Sequence, residues 1–204
     1  ILLVDFIRQE LKRVGFKRAV IGLSGGIDSS LVAYLTAEAL GPENLLGIRM
    51  PYKTSSSASL DHAQMVIDAL GVQSLTFPIT EMVEPLFDRF VEMSQRRKGN
   101  VMARARMIVL YDQSEAFGGL VVGTGIKSEI LLGYTTLYGD SACAINPIGD
   151  LYKTQVRQLS ADLGVPHEIV SKPPSADLWT GQTDEGELGF TYAEVDQLLC
   201  LLVD

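Results

Sequence analysis

Ser24-Gly25-Gly26-Ile27-Asp28-Ser29-Ser30 is the segment of this chain whose residue types and spacing are best suited to chemistry. Glycines let successive backbone N–H groups turn inward, and serines add hydroxyl donors. A helix starting after them adds the positive end of its dipole, so the segment suits a phosphate or pyrophosphate. It lacks the Gly-Lys-Ser/Thr ending of a Walker A loop and is not the GxGxxG fingerprint of hydride-transferring domains. Asp28 would repel phosphate unless a cation lay between them. Magnesium is the hard cation that carboxylates and phosphates share, which makes Asp28 a metal-ligand candidate; the alternative is that Ser24 and Asp28 cap the helix.

The other candidates lie far along the chain. Glu129 follows another apolar run and is either a second metal ligand or a solvated loop acid. Lys127, Lys153 and Lys172, in or beside loops, could offset phosphate charge together with Arg104; for each lysine the alternative is a surface charge. Arg104 and Arg106 sit two apart in a helical pattern and so point to different faces. Tyr134, Tyr138 and Tyr152 are read either as stacking on a ring or as packing. Trp179 is expected exposed in its loop, closing over a ligand or a dimer partner. His62 and His167 have no Ser or Asp pattern nearby and are read as packing or solvent-facing residues.

Those residues need a scaffold. Arg18 to Leu23 reads as a buried strand entering the glycine turn, and Leu31, Leu35 and Ala39 mark a helix stopped by Gly41-Pro42. Strands at Leu45 to Met50 and Ser74 to Phe77 follow, each leading into a helical pattern. Such units in a row indicate a parallel sheet covered on both faces. The basic stretch Met93 to Gly99 is expected to be flexible, and Val101 to Phe117 to be a long helix. Gly119 to Thr124 reads as a fourth strand. Gly125 to Gly149 is expected to be a site-forming loop region, Leu151 to Leu163 a helix, and Ser171 to Gly189 an ordered or closing loop.

With 204 residues the chain suits one α/β domain spanning 1–204. Ile1 opens inside an apolar helical pattern and Asp204 closes another, so both ends read as those of a domain with terminal residues omitted. Hydrophobic residues make up 47% without an apolar run of membrane-spanning length, which argues against a membrane protein. A net charge of -8 argues against nonspecific nucleic-acid binding. Cys143 and Cys200 form no CxxC pair, so a reducing cytoplasm is the expected setting.

SGGIDSS resembles the pyrophosphate-binding loop of the ATP pyrophosphatases. GNVMARARM at 99–107, GTGIKSE at 123–129, GYTTLYGD at 133–140, PIGDLYKTQVR at 147–157 and KPPSADLWTGQTDEGELG at 172–189 resemble NAD synthases in particular. The resemblance implies a three-layer, adenine nucleotide alpha hydrolase-like (Rossmann-like) α/β fold with a five-stranded parallel sheet and helices on both faces. It also implies ATP-dependent amidation of deamido-NAD by ammonia through an acyl-adenylate. ATP would lie over Gly22, Ser24, Gly26, Asp28, Ser29, Thr124, Lys153 and Ser175. Asp28 and Glu129 would hold Mg2+, and Arg104, Asp140 and Lys172 would bind deamido-NAD. Asp140 and Lys153 would be the catalytic pair, in a homodimer. The family contains stand-alone ammonia users and chains fused to a nitrilase-like glutaminase domain. A tRNA-thiolating or GMP-forming relative, or a nucleotide-sensing module without turnover, are the alternatives.

Overall fold

The computed structural model describes residues 2–179 and 181–203. Ile1 and Asp204, the abrupt ends noted above, and Thr180, inside the 171–189 stretch, lie outside the described residues.

The central sheet is parallel and contains β1 (Ala19–Gly22), β2 (Leu45–Arg49), β3 (Gln73–Thr76) and β4 (Leu120–Val121) in the order β3-β2-β1-β4. Ala19 pairs in register with both Leu45 and Leu120. β1 and β2 read as nearly continuous apolar runs because both their faces are covered. Val20, Leu46 and Ile48 pack on one side with α4 (Thr80–Arg89) and α5 (Gln95–Phe117). Ala19, Ile21 and Leu45 pack on the other with α1 (Leu2–Arg13), α2 (Ile27–Leu40), α3 (Ser57–Leu70), α6 (Lys127–Leu132), α7 (Lys153–Asp162), α8 (His167–Val170), α9 (Asp184–Leu188) and α10 (Tyr192–Val203). α2 is buried almost all round, from Leu31 to Ala39, because α1, α3 and α7 flank it.

Two expectations are corrected. The sheet has four strands among the described residues, where five were expected. Beyond β4 only Val122 makes a further bridge, parallel to Ile145. That pairing stops at Asn146-Pro147, because proline has no N–H to continue a ladder and restricts the residue before it. The Met93–Gly99 stretch, expected as a flexible segment ahead of the helix, is helical from Gln95, where α5 begins, its N-cap Ser94 accepting a bond from the Arg97 N–H at 3.4 Å. Gln95, Arg96, Arg97 and Lys98 are polar but good helix formers. Gly99 continues the helix because Leu178 and Trp179 pack against it; a Cβ there would meet Leu178 Cδ1 at 2.9 Å. No helix among the described residues is long and apolar enough to cross a membrane.

Candidate active site

β1 runs into the Ser24-Gly25-Gly26 turn, and α2 starts directly after it. Gly25 has φ +77°, and a Cβ on it would lie 2.0 Å from the Ser59 carbonyl oxygen, so the turn is pressed against the first turn of α3 in a way only glycine allows. The turn is laced internally. Gly26 N–H donates to Ser24 Oγ at 3.2 Å, Ser24 N–H donates to Ser29 Oγ at 3.3 Å, and the Ser29 hydroxyl donates to Gly26 O at 3.1 Å. Gly26 is the N-cap of α2, which has no side-chain cap, so Asp28 is not spent on capping.

Asp28 turns instead to a lysine from the other half of the chain. Lys153, the first residue of α7, is 1% exposed, and its Nζ lies 3.0 and 2.8 Å from the Asp28 carboxylate oxygens and 3.5 Å from Glu129 Oε1. Glu129 is carried by α6, its other oxygen accepting from the Ile126 N–H at 3.4 Å. Three elements that begin at the carboxyl side of the sheet therefore bring two acids and an ammonium to one point. Burial pushes the Glu129 carboxyl up, to about 8, with Lys153 pulling it down and Asp28 and Asp184 adding repulsion. Burial works against the Lys153 charge, but Asp28 and Glu129 more than reverse it and hold the ammonium above its ordinary range. Buried Asp184 is pushed up by burial as well, and it accepts from Tyr192 OH at 3.3 Å.

These groups border a cavity of about 770 Å³, a size that suits a small-molecule ligand. Gly22, Ser24, Gly26 and Asp28 line it from β1 and its turn, and Thr124, Glu129, Asp140 and Lys153 from the segments after β4. Arg104 reaches it from α5, and Lys172 and Ser175 from the 171–189 segment. Of the residues that the family resemblance assigns to ligands, Ser29 is not on its surface, its hydroxyl being used within the turn; Lys127, read as a phosphate partner, is also off the cavity, with its ammonium 4.9 Å from the centre of the Tyr152 ring. Lys172 Nζ donates to Ser59 Oγ at 2.9 Å, which stations it beside the glycine turn. Asp140 accepts from Thr135 Oγ1 at 2.7 Å and from the Thr136 N–H at 2.9 Å, bracing the 135–140 turn. The Ser175 hydroxyl donates to Gln182 O at 2.7 Å and accepts from the Asp177 N–H at 3.1 Å.

The two arginines divide as their spacing requires. Arg104 is exposed and donates to Leu137 O at 3.1 Å, whereas Arg106 donates to Met50 O at 3.0 Å from within the fold. Burial lowers the Arg106 guanidinium to about 10, against the opposing pull of Asp177. Trp179, expected exposed, is half-buried on the cavity wall against Gly99. Tyr134 also lines the cavity and donates to Glu187, while Tyr152 is buried and Tyr138 is exposed. His62 and His167 are not on the cavity surface. Sequence reasoning missed Arg106 as a lining residue, and it missed Asp177, Gln182 and Asp184. Asp177 Oδ2 accepts from the Ser56 N–H at 3.2 Å and so ties the 171–189 segment to the start of α3. The polar run Gln182-Thr183-Asp184-Glu185 was the available signal for Gln182 and Asp184; Asp177, between Ala176 and Leu178, gave none.

No cluster of three or more His, Cys, Asp or Glu among the described residues could cage a metal by itself. Magnesium rarely needs such a cage: one or two carboxylates with substrate phosphates and water suffice. The Asp28–Glu129 pair beside the glycine turn fits a magnesium-bound nucleotide.

The chain matches the NAD synthase family over residues 2–204. It is 60% identical, over 100% of its length and 74% of the other's, to the NH(3)-dependent NAD(+) synthetase of Trichlorobacter lovleyi. Against the protein of the same name from Chlorobaculum parvum it is 54% identical, over 100% of its length and 73% of the other's. Among solved structures, the NMN synthetase of Francisella tularensis superposes with a TM-score of 0.91 at 35% identity, covering 97% of this chain and 82% of that one. The NH3-dependent NAD synthetase of Campylobacter jejuni superposes with a TM-score of 0.80 at 36% identity, covering 99% and 85%. The glutamine-dependent NAD+ synthetase of Acinetobacter baumannii gives 0.78 at 31% identity, covering 98% of this chain but 42% of that one.

Proposed function

We propose that this chain, which belongs to the NAD synthase family, amidates the nicotinate carboxylate of deamido-NAD with ammonia and consumes ATP, yielding NAD, AMP and pyrophosphate. The observation that carries the reading is the meeting of Asp28, Glu129 and Lys153 at the glycine turn, inside a cavity large enough for the nucleotide.

A carboxylate is a poor acyl donor and must first gain a leaving group. In the first step its oxygen attacks the α-phosphate of ATP and pyrophosphate departs, leaving an acyl-adenylate. The Ser24–Gly26 turn and the start of α2 hold the departing pyrophosphate, and Lys153 and Lys172 meet its charge. Asp28 and Glu129 would hold magnesium, which when bound neutralises phosphate charge. Gly22, Thr124 and Ser175 line the remainder of the nucleotide site, with Ser29 keeping the turn in shape. Arg104, on the exposed face of α5, takes the dinucleotide. In the second step ammonia attacks the acyl carbon, the added nitrogen releases a proton to solvent, and AMP leaves as the bond between the acyl carbon and the phosphate oxygen breaks. Asp140 takes the proton that ammonium must lose; an Asp140→Asn enzyme is expected to lose at least about a hundredfold in kcat at saturating ammonium, the lower end of what general base catalysis contributes. Wild-type rate in that variant would remove the role. The 171–189 segment keeps water from the adenylate.

The family resemblance and the exposed apolar residues Leu86 of α4, Phe90 just after it, and Ile108 and Tyr111 of α5 support a homodimer, and the biosynthetic role supports a cytoplasmic setting. The Francisella NMN synthetase favours a second reading in which the acid is nicotinate mononucleotide. The purified chain is to be given magnesium and ATP with either acid, and either ammonium or glutamine, while AMP and the amide product are quantified. NAD and AMP from deamido-NAD and ammonium are expected. Turnover of the mononucleotide alone would install the second reading, and turnover only with glutamine would overturn the ammonia-dependent one.

A further inference from the structure

Glu129 and Lys153 stand near the starts of two helices, and at the buried start of α7 the N–H of the N-cap residue, Tyr152, donates to Gln155 Oε1 at 2.9 Å. The first N–H groups of α7 itself still need acceptors. Both come from distant segments. The Lys153 N–H donates to Ser128 Oγ at 3.0 Å, and the Thr154 N–H donates to Asp196 Oδ2 at 2.9 Å. The Ser128 hydroxyl in turn donates to Asp196 Oδ1 at 2.6 Å. Asp196, on α10, is 4% exposed and Ser128 is fully buried.

A single buried carboxylate thus clamps the residue before Glu129 and the residue after Lys153. Its negative charge lies at the positive end of α7, and both of its oxygens are committed. We infer that Asp196 is a positioning residue for the nucleotide–metal site, fixing Glu129 relative to Lys153 through Ser128 and the first turn of α7. The inference rests on the reading of Asp28 and Glu129 as magnesium ligands. An asparagine keeps one acceptor for the Thr154 N–H, but its amide must donate to Ser128 Oγ where the carboxylate accepted, which turns the Ser128 hydroxyl away, and it removes the negative charge from the start of α7.

A cap with no bearing on the site would change stability alone, so the test compares Asp196→Asn with Val83→Ala, a core truncation on α4 away from the brace. ATP binding is measured by calorimetry across a magnesium series, and NAD formation is followed in parallel. Asp196→Asn is expected to need about tenfold more magnesium or greater for half-maximal ATP binding, the size of effect that outer partners of metal ligands exert. It should also lower kcat while leaving the KM for deamido-NAD unchanged. Val83→Ala should keep the wild-type magnesium dependence at a comparable loss of Tm. Ser128→Ala is expected to reproduce the magnesium shift, and the double variant to be no worse than Asp196→Asn, because the two residues act as a unit. Should Asp196→Asn fail to fold, Ser128→Ala decides the matter. Wild-type magnesium dependence in the folded variants, whatever their Tm, overturns the inference. If the wild type binds ATP with magnesium yet makes no NAD, the proposed reaction fails while the calorimetric comparison still judges Asp196.

Discussion

Lys153 holds two carboxylates together from inside the fold, with its side chain 2% exposed and theirs 21% and 19% exposed. Cutting it to methionine in Lys153→Met strips the Asp28 carboxylate of its buried partner, a change that costs about 3 kcal/mol when a buried pair is broken. The expected result is a lower urea midpoint in the ligand-free protein together with loss of turnover. Glu129 makes the opposite prediction for stability. Its folded pKa is raised from 4.5 to about 8, so between those values the folded protein carries a proton that the unfolded chain has released. Stability of the ligand-free protein therefore falls as pH rises across that window. Glu129→Gln should flatten this part of the Tm-against-pH curve and lose activity at the same time; an unchanged slope would mean that Lys153 fully compensates the charge. At this scale the sequence was informative where residues announce a chemistry: Asp28, Glu129 and Lys153 were all picked out, and all three meet. It was silent about Asp196, whose partner Ser128 is 68 positions away and whose neighbours in sequence form an ordinary amphipathic helix.

Among the elements, two glycines with close neighbours separate a rigid constraint from a soft one. A methyl at Gly25 would lie 2.0 Å from a backbone carbonyl at a positive φ, so the turn or α3 must move. Gly25→Ala is expected to abolish ATP binding in calorimetry and to lower the Tm. At Gly99 the obstacle is a side-chain methyl at 2.9 Å, which can rotate away. Alanine there gains up to about 1 kcal/mol of helix propensity, so Gly99→Ala should change stability by no more than about that amount. The same helix shows why the basic stretch before it was misread: composition registered polar residues, while the Ser94 cap and the packing of Leu178 and Trp179 on Gly99 make them helical. The strand–turn–helix order of β1 and α2 was legible because an apolar run, a glycine turn and a four-residue repeat all agree. The missing fifth strand was not, because the lone Val122–Ile145 bridge depends on where Pro147 falls against a strand from another part of the chain.

The whole molecule gathers its cavity from the β1 turn, α5, the segments after β4 and the 171–189 segment, so ligand binding ties together parts that are far apart in sequence. ATP with magnesium at about a hundred times its Kd should add about 2.7 kcal/mol of stability by mass action alone, visible as a concentration-dependent rise in Tm. The charge arrangement is divided as well: the net charge is -8, yet Arg104, Arg106, Lys153 and Lys172 border the cavity. The same wall carries Asp28, Glu129, Asp140 and Asp184, so an anionic substrate bound as proposed would depend on those four cations, and raised salt should weaken it more than the buried Asp28–Lys153 contact. Trp179 is the chain's single tryptophan, and it sits half-buried on the wall of this cavity in the segment held to α3 by Asp177. The protein therefore carries its own optical reporter: the intrinsic fluorescence of one indole, free of interference from any other, registers rearrangement of the 171–189 segment in real time without a label.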